Sequence, residues 1–474
     1  MSPGHEPTAV GPRRESFRLV LLLYMAMLLT DAIRKLAGLP NSTIGIIYIL
    51  VGAIYIFLLP RLMGKSRVAP WSLPLWLTLL SFWCVIVAIT QRIPTEMALL
   101  GWVSYVFFVP LFYVGAELMA DDKRAAKVLR LVAVAGGIVG LGAMASAFLG
   151  HSAPRLLQPI IPIVGFHSFN DGNVYLAPSI FATAEEAAEQ LLVAFFAWIA
   201  LAQLQFARLG STSSAVLGML VVGGMISTAR RTDIIVAIVG VIVLAVLGGM
   251  HSSTTAEQFG SRLAAGTRRR LGVTFLLAAV GSITLVSFLG ASKLVPFLTS
   301  GSPGSRLSLM FSRPNMGSLI GQGTGTSTQG ANVVGAISFY GTNRQGIYSG
   351  YILNGRVFAT TEGGFAKTWL ELGIVGVILY GGVFLSVLGP AVRYLRLLDG
   401  TGRALTVVTI ALGIIFLKGH QSLDDPLVQP LFWLSAGGIW GRMRALTART
   451  QWDAGAAGLA APASSYAPGV EPAG

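Results

Sequence analysis

Charge is what this chain has least of. Asp, Glu, Lys and Arg together make up 11% of its residues, against about 25% in ordinary soluble domains. With 54% hydrophobic residues and a mean hydropathy of +0.70, that scarcity points to a polytopic membrane protein. A single cysteine, Cys84, excludes an intramolecular disulfide and leaves the redox compartment open. The histidines, at positions 5, 151, 167, 251 and 420, show no ligand spacing, so no metal site or cofactor is expected. No G-x-S-x-G elbow is present to support serine catalysis. The glycine cluster GQGTGTSTQG lacks the Gly-Lys-Ser/Thr ending and the strand–helix frame of a phosphate loop. It reads instead as a turn whose missing side chains let backbone approach the membrane face or a ligand. No A-x-A cleavage site follows the basic N-terminal stretch, so the first apolar segment is expected to stay as an anchor. The net charge of +14 is expected to lie on cytoplasmic connectors rather than to bind nucleic acid.

Hydrophobic segments are what fills the chain. A span needs about 20 mostly apolar residues, and twelve candidates fall near 17–32, 43–60, 72–90, 99–118, 128–149, 181–206, 213–228, 233–250, 271–289, 365–390, 405–417 and 428–439. The expected fold is therefore all-α, about twelve transmembrane helices. Basic residues mark alternate connectors: Arg61, Lys65 and Arg67; Lys123, Arg124 and Lys127; Arg268, Arg269 and Arg270; Arg393 and Arg396. That alternation places both termini in the cytoplasm, with Arg34, Lys35 and Arg92 as outer-side exceptions. The expected layout is a cytoplasmic tail at 1–16, helices one to nine over 17–298 with an external loop at 150–180, and a large extracytoplasmic loop at 299–362. Helices ten to twelve follow over 363–445, then a disordered, Ala/Gly/Pro/Ser-rich tail at 446–474.

The outer connectors carry the candidate chemistry. The large loop is polar and contains Arg306, Arg313, Arg344 and Arg356, and it ends at Glu362. Arg230 and Arg231 stand in STARRTD between two apolar segments, on the same side. Cations there oppose the positive-inside bias and mark function, although a tight turn with Asp233 as partner explains Arg230 and Arg231 structurally. Thr183 and Glu186 have capping-box spacing at the start of the sixth span, which leaves Glu185 and Glu189 as further carboxylates or sugar contacts. Arginine holds phosphate oxygens with paired donors at any physiological pH, and a carboxylate such as Glu362 can take a proton from an attacking hydroxyl. Glu371, four residues after Lys367, reads as structural.

Three stretches resemble the bacterial O-antigen ligase and O-antigen polymerase family of integral membrane glycosyltransferases. STARRTDIIVAIVGV is similar to the family's Ser-Arg segment that opens a span. SRPNMGSLIGQGTGT is similar to its Arg…Gly-x-Gly region, and TEGGFAKTWLELGIVGVILY to its His-Asn…Glu-Leu-Gly…Gly pattern. Where ligases of the family carry His-Asn, this chain has Glu362-Gly363, a departure that favours a polymerase-like member. The resemblance implies a donor glycan on undecaprenyl diphosphate, held by Arg230, Arg231 and Arg313, and a lipid-linked glycan acceptor. It adds Arg306, Arg344 and Arg356 as further candidates, and a flippase and a chain-length regulator as candidate partners in the cytoplasmic membrane. A ligase acting on lipid A core or a protein hydroxyl, a transporter or flippase of lipid-linked glycans, and a subunit of an export complex are the rival expectations. A transporter would place its polar groups in broken helices near the bilayer midplane.

Overall fold

The computed structural model describes residues 11–38, 45–63, 72–119, 121–158, 166–169, 172–175, 177–181, 183–203, 211–228, 230–249, 318–327, 337–343, 346–359, 364–393, 400–418 and 428–459. The expected ninth span lies outside these residues, as do Arg306, Arg313, Arg344 and Glu362.

Helices dominate. In chain order they are α1 (Gly11–Ala37), α2 (Gly45–Met63), α3 (Ser72–Thr90), α4 (Thr95–Val106), α5 (Leu111–Leu118) and α6 (Asp122–Leu149). They continue as α7 (Ala184–Gln203), α8 (Ser211–Ser227), α9 (Arg231–Gly249), α10 (Gly364–Arg393), α11 (Gly400–Lys418) and α12 (Val428–Leu459). Four stretches are long and apolar enough to cross a membrane: Ser72–Thr90, Thr95–Leu118, Asp122–Leu149 and Gly364–Val392. Large side chains such as Phe82, Ile89, Ile138, Ile378 and Leu385 stand exposed on them. In lipid that outward apolar surface needs no cover.

The all-α expectation needs a correction. Two small antiparallel sheets stand between helices: β1 (Phe166–Phe169) with β2 (Gly172–Tyr175), and the meander β3 (Ile337–Asn343), β4 (Gly346–Leu353), β5 (Arg356–Ala359). Phe169 opposes Gly172 in the first pair, so an antiparallel strand pair stands within the expected loop at 150–180. The second sheet mixes aromatic and β-branched residues with glycine and serine, without a clean period-2 alternation, so the stretch reads as loop in the sequence. Two further boundaries differ. The expected fourth span is two helices, α4 and α5, parted by a turn ending at Pro110, whose ring cannot continue the α4 hydrogen-bond ladder. Helix α12 runs to Leu459, into the stretch expected to be disordered, because alanines there favour helix more than the glycines oppose it.

Small residues set how closely the helices approach. Lipid offers no hydrophobic drive for helix association, so close backbone packing carries it. On α5 and α12, a Cβ at Gly115 would meet the Leu434 carbonyl, and one at Gly437 would meet the Phe112 carbonyl. Helices α6 and α8 meet at Gly140 and Gly224 in the same way. Aromatic side chains fill the remaining space, with Phe384, Phe416, Phe432 and Trp433 packed ring to ring between α10, α11 and α12. At one end of the bundle Arg442 pairs with Asp122 at 2.6 Å.

Neighbouring helices joined by short connectors run antiparallel, which puts the C-terminal ends of α1, α3, α6, α8 and α11 opposite that pair. Contacts across that end confirm the grouping: Lys35 reaches Ser179, and Gln91 reaches Gly321. A leucine at position 437 would force α5 and α12 apart. Gly437→Leu is expected to lower stability by about 1–3 kcal/mol, read as an earlier thermal unfolding transition in detergent. Gly381→Ala, where a Cβ meets open space, should leave the transition in place.

Candidate functional site

Two polar constructions occupy the end of the bundle that carries the sheets. The first lies where α1 ends and α7 and α9 begin. Thr183 and Glu186 form the expected capping box, with the Thr183 N–H donating to Glu186 Oε2 at 3.2 Å and the Glu186 N–H donating to Thr183 Oγ1 at 3.2 Å. With Glu186 turned back onto the helix start, Glu185 reaches across to α9, where Arg230 Nη2 donates to its Oε1. The two side chains are 18% and 17% exposed, so the pair is largely withdrawn from water but still open to a ligand.

Around this pair the chain buries further charge. Arg34, Lys35, Glu189 and Asp233 are all almost wholly buried. Lys35 Nζ donates to the Leu156 carbonyl at 3.1 Å and the Ser179 carbonyl at 3.0 Å, tying the end of α1 to the segment between α6 and α7. Gln190 Nε2 donates to the Tyr24 hydroxyl at 2.6 Å, one helix turn below Glu186. Buried ionised groups persist only with partners that offset their desolvation, so this cluster is a costly arrangement for a merely structural helix end. Arg34 and Lys35 were not among the expected site residues. Their signal was present in the sequence, as cations on the outer side against the positive-inside bias.

The second construction is the glycine cluster. It is neither an exposed turn nor a membrane-facing one: residues 321–327 are buried. Helix α10 is interrupted at Gly373, whose φ of 68° and ψ of −170° leave the helical region. A break inside a membrane helix frees backbone groups that hydrocarbon cannot satisfy. The glycine-rich loop satisfies them. The Gln322 N–H donates to the Leu370 carbonyl at 2.8 Å, the Gly323 N–H to the Glu371 carbonyl at 3.1 Å, and the Ile374 N–H to the Ser318 carbonyl at 3.1 Å. Trp83 Nε1, from α3, donates to the Leu372 carbonyl at 2.8 Å.

The Glu371 side chain holds the rest of the loop. It is fully buried and accepts from the Ser327 N–H at 2.7 Å, the Gly325 N–H at 3.2 Å and the Tyr105 hydroxyl at 2.9 Å. Lys367, equally buried one turn earlier, lies 5.8 Å from the centre of the Tyr105 ring. Gly325, with φ +83°, presses backbone to backbone against Met97 and Gly101 of α4, a position closed to any side chain. Gln322 then joins the loop to the sheet: its Nε2 donates to the Ala359 carbonyl at 2.7 Å, and its Oε1 accepts from the Ala359 N–H at 3.2 Å. The structural reading of Glu371 thus has a geometry. The glycines approach protein neighbours closely, Gly321 against Glu371 and Gly325 against Met97, where the expectation was the membrane face or a ligand.

Of the expected site residues, Arg230 and Glu185 are brought together. Arg231 opens α9, and its side chain lies outside the described residues. Arg356 is not an unpaired guanidinium: it donates from Nη1 to the Gln91 carbonyl and lies 5.1 Å over the Phe358 ring. Among the described residues no group of histidine, cysteine and acidic side chains could hold a metal ion. What the arrangement can do is hold an anion at Arg230, with Glu185 able to accept from hydroxyls beside it.

The anchoring role of Glu371 has a direct readout. Glutamine there turns one acceptor into a donor facing an N–H, at a cost of about 1–3 kcal/mol. Glu371→Gln should speed amide hydrogen exchange at Gly325 and Ser327 while leaving α6 and α7 protected. Unchanged exchange at those two amides would remove the carboxylate from that role. No protein-family model matches this chain, and no curated protein matches it in sequence.

Proposed function

We propose that this chain is a membrane glycosyltransferase that polymerises polysaccharide repeat units carried on undecaprenyl diphosphate, at the outer face of the cytoplasmic membrane. In this reading about twelve spans cross the bilayer, both termini are cytoplasmic, and the end bearing the sheets faces outward. The observation that carries the reading is the Arg230–Glu185 pair, partly open at that end of the bundle. The same end holds Ala359 and Gly364, the described residues nearest in sequence to Glu362.

The chemistry is an inverting transfer. An acceptor hydroxyl oxygen attacks the anomeric carbon of the donor glycan and forms the new C–O bond. The bond from that carbon to the diphosphate oxygen breaks, and its electron pair leaves with the lipid diphosphate. Arg230, with Arg231 and Arg313, neutralises the charge that develops on the leaving group. The hydroxyl proton passes to the Glu362 carboxylate. Arg306, Arg344 and Arg356 are further contacts for the glycan or diphosphate. No nucleotide or metal enters the balance.

A transporter of lipid-linked glycans is the rival with a specific observation behind it, the interrupted helix at Gly373. Transporters use such breaks to line a substrate cavity with free carbonyls. Here the loop and Trp83 occupy the freed groups, which favours the enzyme. A ligase differs from the proposed polymerase in its acceptor alone.

The test offers the purified protein a lipid-diphosphate repeat unit and measures polymer and released lipid diphosphate. A ladder is expected without nucleotide or metal. Arg230→Ala and Glu362→Gln should each abolish elongation while membrane insertion persists. Translocation across vesicles with no joining would establish the transporter instead. Near-normal chain length in both variants would remove the site assignment.

A further inference from the structure

An apolar groove of about 680 Å³ runs down the α3–α4 hairpin, and the function proposed above does not use it. Leu77, Phe82 and Ile89 line it from α3, and Leu99 and Trp102 from α4. From Leu77 to Ile89 the α3 wall rises about 18 Å at 1.5 Å per residue, close to the roughly 15 Å depth of one leaflet. Two of the polar groups along the groove are engaged within the protein, and the lining is mostly apolar. Trp102 Nε1 donates to Ser81 Oγ at 3.1 Å, and the Cys84 carbonyl accepts from Thr324 Oγ1 at 2.8 Å. The wall is therefore chemically a slot for hydrocarbon.

At its outer end the groove changes character. Arg92 lines the mouth, exposed, with a left-handed backbone at φ 52°. Its guanidinium forms no ion pair among the described residues. Glu96, in the first turn of α4, is exposed and does not line the groove. Across the same turn lies a second cavity, of about 340 Å³, lined by Gln91, Gln322 and Arg356 together with backbone of the 318–321 segment. A long apolar slot thus ends at one arginine, beside a polar chamber holding another. A hydrocarbon chain, an anionic phosphate and a sugar, in that order, match the sequence of surfaces.

The geometry points to the α3–α4 groove as a binding site for a lipid phosphate, its chain against Leu77–Ile89, its phosphate at Arg92 and an attached sugar in the chamber beside Arg356. The site is separate from the Arg230–Glu185 pair: α3 packs on α10 and α4, whereas α7 packs on α6, α8 and α11. Polymerisation joins two lipid-linked glycans, so two lipid seats are required. Resting on the glycosyltransferase reading, the groove is the acceptor's seat, and Arg230 serves the donor.

The experiment uses the full-length protein in nanodiscs of neutral phosphatidylcholine, in an Arg230→Ala background that silences the donor seat. Binding of a polyprenyl phosphate, the unphosphorylated polyprenol and inorganic diphosphate is measured by native mass spectrometry. The phosphorylated lipid should bind in preference to the alcohol. Arg92→Gln should erase about tenfold of that preference, the scale of one charge-assisted hydrogen bond, and leave the alcohol bound as before. Ala98→Phe, which fills the slot, should weaken both lipids, with monodisperse elution reporting that the fold is kept. Lipid binding unchanged in both variants would overturn the site. So would full displacement of the lipid by inorganic diphosphate, which would mark an anion site without a tail.

The two readings fail separately. Polymer made normally by Arg92→Gln and Ala98→Phe with Arg230 intact would sink the groove and spare the enzyme. Lipid bound as expected by a protein that never joins glycans would do the reverse.

Discussion

A break in a membrane helix is tolerable only if something takes its orphaned backbone groups, because hydrocarbon takes none. That constraint organises one end of this protein. Gly373 interrupts α10, and the chain answers by threading residues 318–327 against the break, N–H to carbonyl, with Glu371 holding the far side of the same loop. The loop in turn touches α3, α4 and α10 at that end. The chamber beside the hairpin is lined in part by residues 318–322 of that loop.

The two polar constructions differ in what they leave available. Glu371 spends its oxygens on amides and a phenol and is sealed from solvent, so it rigidifies. Arg230 and Glu185 hold each other at the margin of the bundle with part of each side chain open. Each side chain of the pair keeps a partial opening that the sealed Glu371 carboxylate lacks. The buried charges at Arg34, Lys35, Glu189 and Asp233 reinforce that difference by fixing the helix ends around the pair.

Much of the helical layout was legible because hydropathy over twenty residues is a strong signal, and the boundaries of α3 agree with it to the residue. The capping box at Thr183 was equally legible, since both of its partners lie within one turn. The sheets were not. Strands β3 and β4 are spaced with glycine and serine, which read as loop when no pairing partner is known, and their pairing is a property of two segments at once. The burial of the glycine cluster was hidden for a related reason. Its partners, Glu371, Cys84 and Gly101, come from three distant helices, and no local pattern announces a loop that packs inward. The pairing of Arg230 with Glu185 spans 45 positions; the residue types were singled out, their meeting was not.

The cap at Thr183 has a bearing on the site beyond helix stability. It determines where the first turn of α7 begins, and hence the azimuth of every side chain that follows. Starting that helix one position later would rotate the ring of carboxylates by about 100°. Glu186 would then face α9, and the acid now opposite Arg230 would turn aside. A threonine that touches no substrate thereby decides which glutamate the arginine meets.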